Sequence, residues 1–486
     1  MISIVESLFY HSEHTPDKPA LIFEEYSVSY SGLRNMIVRC ARRLKKLGVR
    51  EGDRIVCQCK HDPYFPAIRF AAHLCGAAFV PADKDADPVR LADLSALLDA
   101  RLVIFNGKTE TFSRGIGYDE FTNSLTEVSS MEGLSFPDSD SVADILFTTG
   151  TTGASKGVPL TQKNVAERAL SNVREFDVLK DDVCLTMVPL NHIAPVMLLD
   201  QRISSGATMV FLDGMMKIKL MFDCIDKYGV TTVFLPPAGI SLLQRLSQNK
   251  LAVYADRLRS FSTGSSAMTK SQQDYLRNML PHSGLRCCYG STECGVVSVL
   301  RYDEFIGDVT CCGKPCAAVD LRVVDEEFRP VSAGTAGLIT IKGEMNMLGY
   351  YNRPDLNAAV FHDGYFVSND LGYLDEEGYL HVLGRSDDMI NIGGLKVFPS
   401  EIENAALRIP GVEECVCFGV PDPVTGQAAK LLIKTNGAFS GSVAIVKDEL
   451  SRTMDYYKIP KCIEIVDEIA KTANGKPDRK KYRQTN

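Results

Sequence analysis

Residues 146–163 read L-F-T-T-G-T-T-G-A-S-K-G-V-P-L-T-Q-K. A β-type run, Ile145-Leu146-Phe147, enters a loop rich in Gly and Thr, and a helix-like segment begins near Asn164. Gly150 and Gly153 reach backbone conformations closed to other residues and let N–H groups approach a ligand closely. The hydroxyls of Thr148, Thr149, Thr151, Thr152 and Ser155 add donors, and Lys156 adds a positive charge. That inventory suits a polyphosphate. The loop is not a Walker A loop, because Ser155 rather than Gly precedes Lys156 and Gly157 follows it. Read alone, a Gly/Thr loop is more often just a loop, so the flanking sequence carries the decision.

Outward from the loop, strand-like and helix-like segments alternate. Ser31–Leu47 places Leu33, Met36, Ile37, Cys40, Leu44 and Leu47 at helical spacing, with Gly48 as the stop. Arg54–Cys59 reads as a strand, Tyr64–Leu74 as a helix and Ala78–Pro81 as a strand; Leu91–Leu98 and Leu102–Phe105 repeat the unit. The pattern returns at Thr208–Leu212, Leu220–Lys227, Thr231–Leu235 and Gly239–Leu246. Such alternation predicts an α/β fold with parallel sheets flanked by helices. From Val309 the texture changes to short β runs, such as Leu321–Val324 and Gly337–Ile341, which predict a small β-rich subdomain. Ser135–Ser141 is a polar candidate boundary. The last hundred or so residues, an ordinary domain size, read as a separate α+β unit. Its helices are predicted at Val397–Ile409 and Val443–Ser451, and its strands at Glu414–Val420 and Cys462–Val466.

Composition narrows the class. The chain has 486 residues and a net charge of -8, which argues against a general nucleic-acid binder. Fifteen cysteines occur without any C-x-x-C pair, so metal-site spacing is missing. Most lie in apolar stretches, where free Cys acts as a small hydrophobe, and this predicts a reducing, cytoplasmic setting. The N-terminus, M-I-S-I-V-E-S-L-F-Y-H, has neither the basic region nor the long apolar core of a signal peptide, and no membrane span is expected.

Five stretches, the opening loop among them, carry a resemblance. The loop at 148–157 is similar to the phosphate loop of the adenylate-forming enzymes: acyl- and aryl-CoA synthetases, firefly luciferase and the adenylation domains of nonribosomal peptide synthetases. Ser155 replaces that family's usual Pro. Tyr289-Gly-Ser-Thr-Glu293 resembles its Tyr-Gly-x-Thr-Glu motif, and Ser368-Asn-Asp370 stands where the family has Thr-Gly-Asp. Gly384-Arg385-Ser-Asp-Asp388 resembles the hinge motif, and Lys471-Thr-Ala-Asn-Gly-Lys476 the C-terminal lysine motif, with Ala470 for its Pro. The order matches throughout. The resemblance implies a large N-terminal AMP-binding domain, 1–385, with αβ subdomains to 308 and a β-rich part at 309–385. A small mobile C-terminal domain, 386–486, would follow a hinge at 386–387.

The implied reaction has two halves. A carboxylate attacks the α-phosphate of ATP, giving acyl-AMP and pyrophosphate; a thiol then takes the acyl group and AMP leaves. By resemblance, Thr148, Thr149, Gly150, Thr151, Thr152, Gly153 and Lys156 hold phosphates, and Glu293 ligates Mg²⁺, a hard cation that prefers oxygen. Asp370 and Arg385 grip the ribose. Tyr289 stacks on adenine, with Gly290, Ser291 and Thr292 in the same motif and Gly264, Ser265 and Ser266 beside it. Lys476 bridges the substrate carboxylate and the α-phosphate. His192 gates the acyl pocket, whose further candidates are Ile193, Pro236, Gly264, Gly290, Cys294 and Gly295. Gly393 and Gly394 line the thiol tunnel, and Asp387 is the hinge. On residue type alone, Glu293 is a surface acid, Asp370 a turn residue, Lys476 a tail cation and His192 a core histidine.

The run Asn191–Asp200 is apolar where amino-acid-activating members carry an early Asp, and its acid comes late. A buried ammonium without a carboxylate is costly, so a carboxylic acid lacking an α-amine is expected. The acid itself, aryl, short or medium acyl, stays open. The leading reading is an acyl-CoA synthetase using ATP, Mg²⁺ and CoA. A stand-alone adenylation enzyme loading a carrier protein's phosphopantetheine is the alternative, and a non-catalytic nucleotide-binding module ranks third.

Overall fold

The computed structural model describes residues 3–107, 112–126, 130–148, 156–302, 308–437, 439, 441–471 and 477–484. The first sheet has six strands, in the order Gly115–Gly117, Leu102–Phe105, Arg54–Gln58, Ala78–Ala82, Val142–Thr148 and Lys156–Thr161. All neighbours are parallel except the last pair. The helix Tyr30–Lys46 buries Leu33, Met36, Ile37, Cys40 and Leu44, so the helical spacing in the sequence is its core face. The helix Tyr64–Leu74 is buried on every side and includes Arg69 and His73.

The second sheet has nine strands. Its central six are parallel and run in the order Gly284–Ser291, Ser260–Thr263, Thr232–Phe234, Val183–Thr186, Thr208–Phe211 and Pro19–Phe23. The loops that leave the carboxyl ends of these strands share one edge, where α/β sheets bind ligands. A third, antiparallel sheet contains Asp320–Val324, Gly337–Lys342, Phe361–His362, Tyr365–Leu374 and Leu380–Arg385. The fourth combines Ile390–Ile392, Leu395–Val397, Val412–Asp422, Gly426–Thr435 and Cys462–Ile465 with the helices Pro399–Ala406 and Val443–Thr453.

Two sequence expectations change. Lys156–Thr161 is a strand paired back on Val142–Thr148, not the end of a loop. Gly157 and Pro159 disguise it, and Pro159 is tolerated because this is the sheet's edge strand. The helix expected from Val397 begins at Pro399, because Val397 pairs with Ile390 in a hairpin. All fifteen cysteines are free and none is exposed. No helix among the described residues is long and apolar enough to cross a membrane.

A buried ion network joins the first two units. Arg69 donates to both oxygens of Asp144, at 2.9 and 2.7 Å, and to both oxygens of Asp200, at 2.6 and 2.9 Å. His73 Nε2 lies 3.2 Å from Asp144. Burial works against ionising Asp144, but Arg69 and His73 outweigh it and hold the carboxyl well below its usual range. Removing one partner of such a network leaves a buried charge uncompensated. Arg69→Met is therefore expected to destabilise the large unit by about 3–5 kcal/mol, read from the urea midpoint; a loss near zero would show the carboxylates finding water.

A second buried group ties stability to pH. His381 is 3% exposed, with Nδ1 3.2 Å from Asp308 and Nε2 3.3 Å from Asp375. The bond to Asp308 raises the imidazole's pKa against the effect of burial, and the same bond holds Asp308 down at about 2. A raised histidine pKa stabilises the fold fully below the unfolded value of about 6.5, and that contribution is lost as pH rises through the folded value. A depressed carboxylate pKa contributes above about 4 and is lost as pH falls toward its folded value. The urea midpoint is expected to fall as pH climbs past about 6.5, and the fall should be smaller in His381→Gln; equal slopes in the two proteins would remove His381 from the account.

Candidate active site

The antiparallel pair sets Thr148 opposite Lys156. Thr149, Gly150, Thr151, Thr152 and Gly153 lie outside the described residues, as does Lys476. Lys156 Nζ sits 4.9 Å from the centroid of the Tyr350 ring, a cation–π contact. The Tyr350 hydroxyl donates to Glu293 Oε1 at 2.8 Å. Burial first, then Glu293, pushes that phenol's pKa up, so it stays a donor. The backbone of Tyr350 is held by Asn357, which accepts from Tyr350 N at 2.7 Å and donates to its carbonyl at 3.1 Å. Tyr351 N donates to Gly157 O, which ties this turn to the Lys156 strand.

Glu293 follows the strand Gly284–Ser291, at the ligand edge of the nine-stranded sheet. Its loop is pinned by Arg168, a buried cation that donates to the carbonyls of Met345, Thr292 and Glu293 at 2.8, 3.0 and 3.0 Å. Burial lowers the Arg168 pKa to about 10, still charged at neutral pH. Nothing in the sequence pattern singles out Arg168 or Tyr350, because each acts across elements far apart in the chain. Gly290 is required here: a Cβ would stand 2.0 Å from the carbonyl oxygen of Gly295. Gly264 is equally confined, with Cys288 Sγ 2.5 Å from its would-be Cβ.

The second cluster centres on Asp370, directly opposite Arg385 across two strands. Tyr289 donates to Asp370 Oδ2 at 2.6 Å, and Arg385 Nε lies 3.5 Å from Oδ1. The Arg385 Nε is buried without a hydrogen-bond partner among the described residues, so this guanidinium has unspent donor capacity beside the carboxylate. Arg385 is also close enough to act on the Tyr350 phenol, which links the two clusters.

The pocket candidates follow the same sheet edge. His192 immediately precedes the helix Ile193–Ser205, Pro236 immediately precedes Pro237–Ser247, and Gly264 and the exposed Ser265 follow Ser260–Thr263. Burial lowers the His192 pKa, against the pull of Asp83, which keeps the ring neutral at pH 7. Ile193 instead faces a cavity of about 10 Å³ that it shares with Arg69, Arg168 and Asp200. Asp200, the late acid of this run, is spent on Arg69 and is not available to a substrate ammonium. Cys294 and Gly295 are buried. Gly393 and Gly394 both have positive φ, 60° and 93°, and form the two-residue turn of the hairpin Ile390–Val397. Asp387 lies in a single 3-10 turn, Ser386–Asp388, between the third and fourth sheets.

A family model described as "AMP-binding enzyme" matches residues 8–351, well over half of the chain. The chain belongs to the adenylate-forming, AMP-binding enzymes. A second model, "AMP-binding enzyme C-terminal domain", matches residues 401–476. Among curated relatives, a 2-succinylbenzoate–CoA ligase of Bacillus velezensis is 29% identical over 96% of this chain and 95% of its own length. A feruloyl-CoA synthase of an Amycolatopsis species is 29% identical over 93% and 92%. The fold is shared with ATP-bound MatB from Rhodopseudomonas palustris, at a TM-score of 0.91 and 24% identity, covering 100% of this chain and 98% of that one.

The expectation from sequence that Asp370 grips the ribose can be tested through its bond from Tyr289. Tyr289→Phe removes a donor to an ionised carboxylate, a bond worth about 1.5–3 kcal/mol. AMP binding, measured by calorimetry, is expected to weaken by about tenfold or more; an unchanged Kd would mean that Asp370 is held well enough by its other partners.

Proposed function

We propose that this chain is an AMP-forming acid–thiol ligase of the acyl-CoA synthetase type, acting on a carboxylic acid without an α-amine. The observation that carries the reading is the Lys156–Tyr350–Glu293 row set beside the Tyr289–Asp370–Arg385 cluster. One holds a cation and a carboxylate together, the pair that a metal-bound triphosphate calls for. The other offers a carboxylate acceptor with a guanidinium beside it, a common device for ribose hydroxyls. The relatives named as CoA ligases support the same acceptor, CoA.

In the first half-reaction a carboxylate oxygen of the acid attacks the α-phosphorus, and the bond to pyrophosphate breaks. Such transfer depends mostly on positioning and electrostatics. Thr148–Gly153 and Lys156 hold the β- and γ-phosphates, and Lys476 bridges the incoming carboxylate and the α-phosphate. Glu293 fits Mg²⁺: its Oε1 accepts from Tyr350, while Oε2 accepts from no donor among the described residues. When bound, the ion would neutralise phosphate charge, with phosphate oxygens and water completing its shell. Gly264, Ser265 and Ser266 lie beside the adenine and the acyl carboxylate, and His192 stands between acid and thiol. In the second half-reaction the thiol sulfur bonds to the acyl carbon, AMP departs with the oxygen, and the thiol proton passes to solvent. The thiol would approach along Gly393-Gly394. Lys476 and the thiol cannot both occupy the acyl carbon's surroundings, so the unit from 386 onward turns about Asp387, where a few dihedrals absorb the change.

The decisive assay is a panel of carboxylic acids scored for pyrophosphate, then repeated with CoA and with a holo carrier protein. Pyrophosphate is expected and ADP is not; ADP as product would end the adenylation reading, and thioester formed only on the carrier would move the acceptor from CoA. Lys476→Ala is expected to slow adenylate formation by about 10²–10³-fold and to spare thioester formation from pre-made acyl-AMP. Asp387→Pro, with φ fixed near about −65°, should retain adenylation and lose thioester formation; equal effects on both steps would make Asp387 an ordinary linker acid.

A further inference from the structure

Asn369 occupies the position where the family has glycine, and its backbone explains part of that preference: φ is +63°, the left-handed region. Asn enters that region more readily than most residues, but the tolerance does not account for the side chain's contacts. Its Oδ1 accepts from Ser386 Oγ at 2.5 Å, and its Nδ2 donates to Asp387 Oδ1 at 2.8 Å. Both ends of the amide are therefore used on the hinge turn, 17 and 18 residues further along the chain. A glycine makes neither bond.

The other side of the turn is held by the small unit. Arg483 donates to the carbonyls of Asp387 and Asp388 at 3.0 and 3.3 Å, and pairs with Asp388 Oδ1 at 3.0 Å. Arg479, on the same short helix Arg479–Gln484, reaches Asp388 Oδ2 at 3.8 Å and Glu403 at 2.5 Å. That helix packs on the strand Val412–Asp422, so Arg479 and Arg483 travel with the small unit. Asn369 does not: it is fixed in the third sheet between Ser368, whose hydroxyl donates to Ile339 O at 2.8 Å, and Asp370. A change of dihedrals at Ser386 and Asp387 pulls the turn away from Asn369 and leaves the arginine contacts with their own body.

We propose that Asn369 is a positioning residue, a latch that holds the hinge turn in the pose seen here and couples it to Asp370, the next residue and the centre of the nucleotide cluster. The inference rests on the two-step reading above. It places part of the barrier between the two poses in one side chain, and it ties the release of that side chain to the loop that grips the nucleotide.

The structure supplies a reporter that needs no activity. Lys396 Nζ, in the small unit, lies 3.6 Å from Glu326 Oε1, in the large one, and both side chains are exposed. A water-soluble carbodiimide converts this pair to an amide when the pose is populated, and the cross-linked peptide is counted by mass spectrometry. Glu326→Gln removes the reacting carboxylate and identifies the peptide. Asn369→Gly keeps the backbone conformation and deletes both bonds. Asn369→Asp places a carboxylate against Asp387. Both variants are expected to lower the cross-link yield, Asp more than Gly. In Asn369→Gly the ratio of the two half-reaction rates should shift by about fivefold or more, the effect of one to two ordinary hydrogen bonds, while the Kd for AMP changes less than about twofold. Unchanged yield and ratio in both variants overturn the latch. So does an equal loss in both half-reactions with unchanged yield, which would confine Asn369 to the nucleotide loop. If the wild-type protein makes no adenylate with any acid, the two-step reading fails, and the cross-link still decides whether Asn369 holds the hinge.

Discussion

Arg69 is the constraint on which the architecture depends. It stands on a fully buried helix of the first unit, and its guanidinium is divided between two carboxylates from different places. Asp144 belongs to the strand Val142–Thr148 of the first sheet. Asp200 belongs to the helix Ile193–Ser205, which follows His192, beside the nine-stranded sheet. Four donated hydrogen bonds thus fix the strand Val142–Thr148 relative to the helix Ile193–Ser205. A hydrophobic seam could join the same units, but apolar contacts are non-directional. A planar guanidinium shared between two carboxylates sets distance and orientation together.

The ligand edge follows from that alignment. Parallel strands of the second sheet release their loops on one side, and the hairpin of the first sheet delivers Lys156 to the same region through Tyr350. Arg168 performs the matching task for the Tyr289–Glu293 loop. It spends its donors on three carbonyls, so a buried charge is used to hold backbone rather than to neutralise an acid. The third sheet contributes Asp370 and Arg385 as cross-strand neighbours.

The α/β core was legible because its signals are local. Leu33, Met36, Ile37, Cys40 and Leu44 repeat at helical spacing, and Tyr64–Leu74 and Leu102–Phe105 have the bounds their patterns imply. The strand Lys156–Thr161 was hidden because Gly157 and Pro159 punctuate a sequence that its partner, not its propensity, makes extended. At the site, motif residues such as Glu293, Asp370 and Arg385 were readable as a constellation only by their order along the chain. Tyr350, Arg168 and the hinge contacts of Asn369 were not readable, because each gains its meaning from a partner 17 residues away or much further. Lys476 and the loop residues 149–153 lie outside the described residues, and their roles rest on sequence.

Tyr350 is an insulator. Its ring takes the field of Lys156 and its hydroxyl takes one oxygen of Glu293, so the two opposite charges are held on either side of an uncharged spacer. Direct contact between them would form a salt bridge, and any ligand that drew on either charge would first have to break it. Separation through Tyr350 avoids that cost. A relative that keeps the lysine and the glutamate but loses the aromatic spacer would retain every charged motif residue and still close the site on itself.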